Sequence, residues 1–252
     1  MDIVNVVKKL PWHEARRWRT RDLSAIDKII VHQELSDGTV EAVNNYHITP
    51  GNNNHVSKKG APHFCYHFGI RMARPEGPPD GEIIQANELT HITWHTGGQN
   101  RVGVGIMLEG NFKGMGHDLG HEKPSKAQID SLNWLAGHLI DLLDLTNQDL
   151  YGHYHFGKPA CPGSYVTGWI EEYRGRTLPG ANTKIAVISI KDLQKQLKRL
   201  GYAVGKVDGI IGPRTTGAIW AFQRDQGLSI DGIPGPQTRR RLLALTTEEE
   251  NG

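Results

Sequence analysis

Residues 152–163 read GHYHFGKPACPG and place His153, His155 and Cys161 within nine positions of one another. A run this rich in glycine and proline is neither regular helix nor strand, and proline's fixed φ can aim side chains without a secondary-structure period. Imidazole nitrogen and thiolate sulfur are donors that Zn²⁺ prefers, so the stretch is expected to form part of a metal site. A catalytic zinc takes three protein ligands and leaves a fourth position open, so at least one further ligand is expected from elsewhere in the chain. His153 and His155 lie two positions apart and would share a face of an extended segment, so spacing leaves both open as ligands.

Working outward, residues 125–142 predict a strong helix that leads into this loop. Ser125 and Gln128 fit a capping box, and Ile129, Leu132, Leu135, Leu139 and Leu142 recur at three- and four-residue steps that make one apolar face. Further upstream, IDKIIVH at residues 26–32 reads as a core strand ending in His32, whose ring could enter a cleft or simply be hydrogen-bonded at the strand end. FCYHFGI at residues 64–70 reads as a central strand, GEIIQ at residues 81–85 as a short one, and VGVGIMLEG at residues 102–110 as another apolar strand whose glycines allow close backbone approach. Alternation along the second of these sends Cys65 and His67 to the face opposite Tyr66, which makes Cys65 a core residue. Between the strands lie a polar stretch at residues 36–63, with a helix near residues 40–46 and with His47, His55 and His63 read as mostly solvated, and the loop WHTGGQN at residues 94–100. The first twenty residues are expected to form an arm or short helix against the main domain. The fold class expected is α/β (α+β): a mixed sheet covered by helices, with a cleft at the rim where strand ends and the 152–163 loop emerge.

Composition supports a soluble, loop-rich globular protein: 252 residues, 37% hydrophobic, 22% charged, 30 glycines, and no apolar run long enough to span a bilayer. Cys65 and Cys161 do not make a disulfide framework. The start, MDIVNVVKKLPWHEARRW, lacks an apolar h-region, so the chain is expected to stay in the cytoplasm until something releases it. Charge separates two modules. Residues 1–183 hold 18 Lys+Arg against 20 Asp+Glu, whereas residues 184–247 hold 11 against 4, and all 13 histidines precede residue 156. Charge alone does not choose among nucleic acid, membrane and anionic wall polymer as the partner of the basic module.

That module follows RTLPGANTK at residues 176–184, whose turn-forming residues mark a boundary. It carries an internal echo, DGIIGPRT at residues 208–215 and DGIPGPQT at residues 231–238, each followed by a helix-type run and preceded by the helix IKDLQKQLKRL, which buries Leu193, Leu197 and Leu200. The expected organisation is a catalytic domain over residues 1–175, a linker over 176–187 and a small three-helix domain over 188–247.

Taken in order, IIVH, YHFGI, the WHTGG loop with Asn100 downstream, VGIMLEG, a long helix, then GH and CPG resemble the type 2 N-acetylmuramoyl-L-alanine amidase family, which includes phage endolysins and peptidoglycan recognition proteins. The resemblance covers residues from about 25 to 172. It implies zinc ligands at His32, His153 and Cys161, with His153 preferred over His155 because it follows the family's glycine. It implies a catalytic tyrosine at Tyr66, and His95 and Asn100 fall where substrate contacts are expected. Lys158 is the candidate oxyanion stabiliser, although phage members place that lysine two residues before the cysteine, where Pro159 stands here. Glu109 reads as an outer partner or a strand-end charge. The aspartate and glutamate of the wall-recycling branch are replaced by Cys161 and Met107. Residues 188–247 resemble the type 1 peptidoglycan-binding module nearly end to end.

Together these imply a zinc-dependent amidase that cuts the lactyl–L-alanine amide of bacterial peptidoglycan, acting as a monomeric endolysin tethered by its C-terminal module, with no nucleic-acid partner and no membrane insertion. The alternatives are a non-catalytic peptidoglycan recognition protein and a wall-recycling amidase.

Overall fold

The structure, a computed structural model, describes residues 1–36, 38–112, 123–175 and 190–228, with residues 230, 232, 234, 238, 239, 241–243 and 245. The expected linker, residues 176–187, and most of the second Asp-Gly motif lie outside the described residues. The chain divides into two compact units, Met1–Leu139 with Leu145–Thr177, and Ile140–Asp144 with Leu178–Gly252.

The first unit is built on a six-stranded mixed sheet of order β1-β4-β3-β5-β2-β6, formed by β1 (Ile3–Asn5), β2 (Lys28–Gln33), β3 (Phe68–Ile70), β4 (Ile83–Gln85), β5 (Gly103–Leu108) and β6 (Leu150–Gly152). Only β3 and β4 run antiparallel among the neighbouring pairs. KIIVHQ in β2 and GVGIML in β5 are near-continuous apolar runs, the pattern of strands covered on both faces, and Ile29, Ile30, Val31, Val104 and Ile106 are fully buried. Helix α1 (Val40–Ile48) begins with Thr39 capping the Ala42 N–H. Helix α2 (Lys126–Leu143) carries the expected capping box, Gln128 N–H donating to Ser125 Oγ at 3.0 Å and Ser125 N–H to Gln128 Oε1 at 3.1 Å. Its Leu132, Leu135 and Leu139 are fully buried. Helix α3 (Ser164–Gly175) follows the 152–163 loop. Among the described residues no helix is long and apolar enough to cross a membrane.

Three local expectations differ from what folds. The strand read over residues 64–70 shrinks to Phe68–Ile70, because the buried side-chain amide of Asn87 donates to the carbonyls of both Phe64 and Tyr66 at 2.7 Å and the preceding segment bends instead of joining the ladder. The N-terminal arm supplies an edge strand, β1, paired in parallel with β4. His47 and His63 are buried, not solvated: His47 Nδ1 accepts the Cys65 N–H at 3.1 Å, and the His63 ring stacks on Trp12 at 4.2 Å. Cys65 is a core residue packed with Trp18 and Ala61.

In the second unit, α4 (Ile190–Arg199) and α5 (Pro213–Asp225) share a core of Leu193, Leu197, Val204, Ala218, Ile219, Phe222 and Leu242, with Leu200 partly buried against it. Pro213 occupies the first turn of α5 behind an extended Gly212, and residues 238, 239, 241–243 and 245 are helical. Two buried glutamines pin the Asp-Gly turns. Gln194 Oε1 accepts the Gly209 N–H at 2.8 Å, and 29 residues later Gln223 Oε1 accepts the Gly232 N–H at 2.9 Å. Each also donates to the threonine that closes its motif, Thr215 or Thr238, at 3.1 Å.

Candidate metal centre

Parallel pairing of β2 with β6 sets Val31 opposite Gly152. The next residue of each strand is a histidine, so His32 and His153 leave the same ends of adjacent parallel strands, where open α/β sheets gather their ligands. Their ring centroids lie 4.5 Å apart. Gly152 is needed at this exit, since a Cβ there would stand 2.3 Å from a Tyr154 ring carbon and 2.9 Å from Pro162 Cδ. The loop then returns Cys161 to the same point, with its Sγ 3.8 Å from His32 Nδ1. One donor atom from each of His32, His153 and Cys161 lies within 4.8 Å of the other two. Tetrahedral Zn–N and Zn–S bonds of about 2.0–2.3 Å put donor atoms roughly 3.3–3.8 Å apart, so the set suits Zn²⁺ with small adjustments.

His155, left open by spacing, is committed elsewhere. Its Nδ1 accepts the Gly152 N–H at 3.3 Å and its Nε2 lies 3.8 Å from Glu171. Two residues that sequence reasoning passed over hold the site. Gln33 Nε2 donates to the Ala160 carbonyl at 2.6 Å, its Oε1 accepts the Phe112 N–H at 2.6 Å, and its own backbone N–H hydrogen-bonds Cys161. Asn87 fixes the bend that carries Tyr66. Neither has a sequence signal, because a buried amide at a strand end is indistinguishable from a solvated one before the fold is known.

Electrostatics favour a neutral, cation-ready cluster. Burial, with His95 and His153 nearby, holds His32 well below the ordinary histidine range. Burial, helped by the Lys158 charge, lowers His153 to about 4. Burial raises the Cys161 thiol to about 12, opposed by the Gln33 N–H and by Lys158. The site therefore presents two imidazole lone pairs and a buried sulfur at neutral pH, and a cation gives the thiolate the countercharge that burial denies it.

Half-buried Tyr66 places its ring 4.9 Å from His32, and burial plus the nearby sulfur raises its pKa well above the ordinary phenol value. Lys158 is exposed at the loop. His95 does not stand as a substrate contact, whereas Asn100 is half-buried. His95 is 6% exposed, with Nδ1 facing His32 and Nε2 on the Gly103 carbonyl, so neither ring nitrogen is free for a ligand. Asn100 Oδ1 accepts the Thr96 N–H at 2.8 Å and ties its own loop. Glu109 is fully buried and accepts the N–H groups of Val40 and Met72, which makes it a pin for the start of α1.

The chain is similar over part of its length to N-acetylmuramoyl-L-alanine amidases. CwlM, an N-acetylmuramoyl-L-alanine amidase of Mycobacterium tuberculosis, is 41% identical over 63 residues, which are 25% of this chain and 16% of CwlM. CwlL, an N-acetylmuramoyl-L-alanine amidase of Bacillus licheniformis, is 24% identical over 199 residues, covering 67% of this chain and 54% of CwlL. The chain thus spans about half or less of these relatives' own length. The solved structure of LysCS from Clostridium intestinale URNW, an endolysin N-acetylmuramoyl-L-alanine amidase, shares the fold with a TM-score of 0.51 at 22% identity, over 68% of this chain and 93% of that one. A peptidoglycan binding domain profile matches residues 189–242. The profile of the N-acetylmuramoyl-L-alanine amidase family matches residues 22–164, more than half of the sequence, and the chain belongs to that family.

Proposed function

We propose that the protein is a zinc-dependent N-acetylmuramoyl-L-alanine amidase that hydrolyses the amide between the lactyl group of N-acetylmuramic acid and L-alanine in bacterial peptidoglycan. The observation that carries this reading is the convergence of His32, His153 and Cys161 in a chain of this family. When bound, zinc supplies Lewis acidity to the scissile carbonyl and an activated water at neutral pH. His32 and His153 hold it as neutral imidazoles and Cys161 as a thiolate, which leaves one net positive charge. Tyr66 keeps its proton because its pKa is raised, so its hydroxyl can donate to the carbonyl oxygen as negative charge grows there. Lys158 adds positive charge beside the loop.

Residues 1–175 form the catalytic domain, 176–187 the linker and 188–247 the domain that holds the enzyme on its insoluble polymer. Tethering raises local substrate concentration without new contacts at the site. The enzyme serves as a phage or prophage endolysin, kept in the host cytoplasm until release, a role in line with the endolysin of similar fold. Purified sacculi incubated with wild type should release new amines with no new reducing sugar, while chelator-treated protein and Cys161→Ser lose about 10³-fold or more, beyond the ~10²–10³-fold typical of losing one oxyanion donor. New reducing ends would indicate glycosidase chemistry. Binding without product would place the chain with the recognition proteins.

A further inference from the structure

His95 is neither a member of the converging donor set nor open to the cleft, yet the fold makes room for it. A Cβ at Gly105 would stand 2.7 Å from His95 Cγ and 3.0 Å from its Nδ1, and one at Gly103 would stand 3.1 Å from its Cε1. Real Cβ atoms essentially never approach within 3.0 Å, so glycine at position 105 is a condition for the ring lying where it does. The two glycines of GVGIML therefore shape a seat in β5 for a side chain from a separate loop.

The hydrogen bonds then fix protons one after another. His95 Nε2 lies 3.2 Å from the Gly103 carbonyl oxygen, which only accepts, so Nε2 carries the proton of the neutral ring and Nδ1 is left as a lone pair. That lone pair faces His32 Nε2 at 3.2 Å, so His32 Nε2 must be the donor. The Thr96 hydroxyl, 3.0 Å from His95 Nδ1 and 3.4 Å from His32 Nε2, can relay the same polarity in place of the direct contact, accepting from His32 Nε2 and donating to the single His95 Nδ1 lone pair. A neutral imidazole carries one N–H, so the remaining nitrogen of His32 is a lone pair. That nitrogen, Nδ1, is the one 3.8 Å from Cys161 Sγ.

We propose that His95 is a positioning residue for His32: seated against Gly103 and Gly105 and anchored on the Gly103 carbonyl, it holds the His32 proton on Nε2 and keeps the Nδ1 lone pair directed at the metal position. This inference rests on the metal reading of the site. Outer partners of ligating histidines typically contribute 10–100-fold in metal affinity, and most are carboxylates, carbonyls or water. Here a second histidine relays the backbone carbonyl's demand for a proton to the first.

The test uses the full chain labelled with ¹⁵N-histidine, stripped of metal at pH 7.5, with the His32 tautomer read from long-range ¹H–¹⁵N correlations. Zinc affinity is measured by chelator competition, and a thermal melt checks each variant. Wild type should show His32 protonated on Nε2. His95→Leu should show a mixed tautomer and a zinc Kd raised about 10–100-fold. His95→Asn, whose carboxamide oxygen can accept in place of Nδ1, should recover most of that loss, and Gly105→Ala, which displaces the ring, should resemble His95→Leu. His32 protonated on Nδ1 in wild type, or His95→Leu with tautomer and affinity unchanged, would overturn the proposal. If His95→Leu fails to fold, the wild-type tautomer together with the Asn and Gly105→Ala affinities still decides. Wild type that binds no zinc would sink the metal reading, and the tautomer would judge His95 separately.

Discussion

Gln194 in the C-terminal unit and Cys161 in the first are both buried side chains in loop-rich surroundings, and they differ in what they leave unsatisfied. Gln194 accepts the Gly209 N–H, and its two amide hydrogens are shared among Asp208 Oδ1, Ile210 O and Thr215 Oγ1 at 3.0–3.2 Å, so its amide is saturated by its own module. Around Cys161, the side chains of His32, His153 and Cys161 turn one ligand atom each toward the same point within 4.8 Å, and a long contact from the Cys161 thiol to His32 Nδ1 at 3.8 Å is a weak substitute for an electrophile. The first cluster spends its polarity on specifying a fold. The second holds polarity in reserve for an electrophile, at the cost of a thiol pushed up to about 12. A saturated buried polar group marks architecture, and converging lone pairs mark a site.

The reactive side of that contrast is sharpened most by Tyr66→Phe. The substitution keeps the ring that packs 5.3 Å from Phe64 and 4.9 Å from His32 and removes only the hydroxyl. With a soluble muropeptide, kcat should fall about 10²–10³-fold, the range for one preorganised donor to a developing oxyanion, while KM and zinc content hold. A drop below tenfold would show that the phenol is packing alone. Because its pKa is raised well above 10, wild-type kcat should also show no descending limb from Tyr66 between pH 8 and 10.

The architectural side is broken by Gln194→Leu, which leaves the Gly209 N–H without the carboxamide that now caps it. The second unit should lose about 1–3 kcal/mol, because several hydrogen bonds go at once and the buried Thr215 hydroxyl loses one of its partners, while Asp208 and Ile210 can turn to water. Its melting transition and sacculus binding should drop, while turnover of soluble muropeptide stays at the wild-type rate. Equal sacculus binding by the variant, with the transition lowered, would remove the tether from the proposal.

Legibility followed the same division. The apolar periods of β2, β5 and α2, the capping box at Ser125 and Gln128, and the repeated Asp-Gly turns depend on neighbours within a few residues, and they stand in the sequence as read. Asn87 does not, because its work is to take the carbonyls of Phe64 and Tyr66 some 20 residues away, and that contact turned an expected seven-residue strand into a bend before Phe68–Ile70. His47, His63 and His95 looked like polar loop residues until tertiary partners buried them. Spacing leaves His153 and His155 both open and the family resemblance prefers His153; the geometric reason comes only with the β2–β6 register and the Gly152 contact.

Those buried histidines also give the first unit a pH dependence that the second, which has none, should lack. Burial lowers His47 to about 3 and His63 to about 4, so both stay neutral in the fold while the unfolded chain takes up protons below its ordinary value near 6.5. Stability is therefore complete above pH 6.5 and declines as pH falls through the window toward 4 and 3. In chelator, the melting temperature of the first unit should drop by a few degrees between pH 7 and 5.5, with the second unit's transition flat over that range. A flat profile for both would show that these rings take up protons as readily in the fold as in the unfolded chain.

Lys158 tests whether a charge at the lip of the reactive cluster belongs to its chemistry or to its surface. Its backbone links the two loop ligands whatever its side chain: the Lys158 carbonyl accepts the Cys161 N–H at 2.9 Å, and its N–H approaches the His153 carbonyl at 3.4 Å. The ammonium acts through its field, lowering the pKa of both His153 and Cys161. A charge in water at about 4 Å is worth about 1 kcal/mol and is screened within roughly 10 Å at 0.1 M salt. On an uncharged soluble amide, Lys158→Met should therefore reduce kcat/KM by about three- to fivefold, with the difference vanishing at 1 M salt. If the ammonium instead donates to the oxyanion, the loss should reach 10²–10³-fold and survive salt, because a direct hydrogen bond in a closed site is not screened. The exposed position of Lys158 and the proline beside it favour the smaller number.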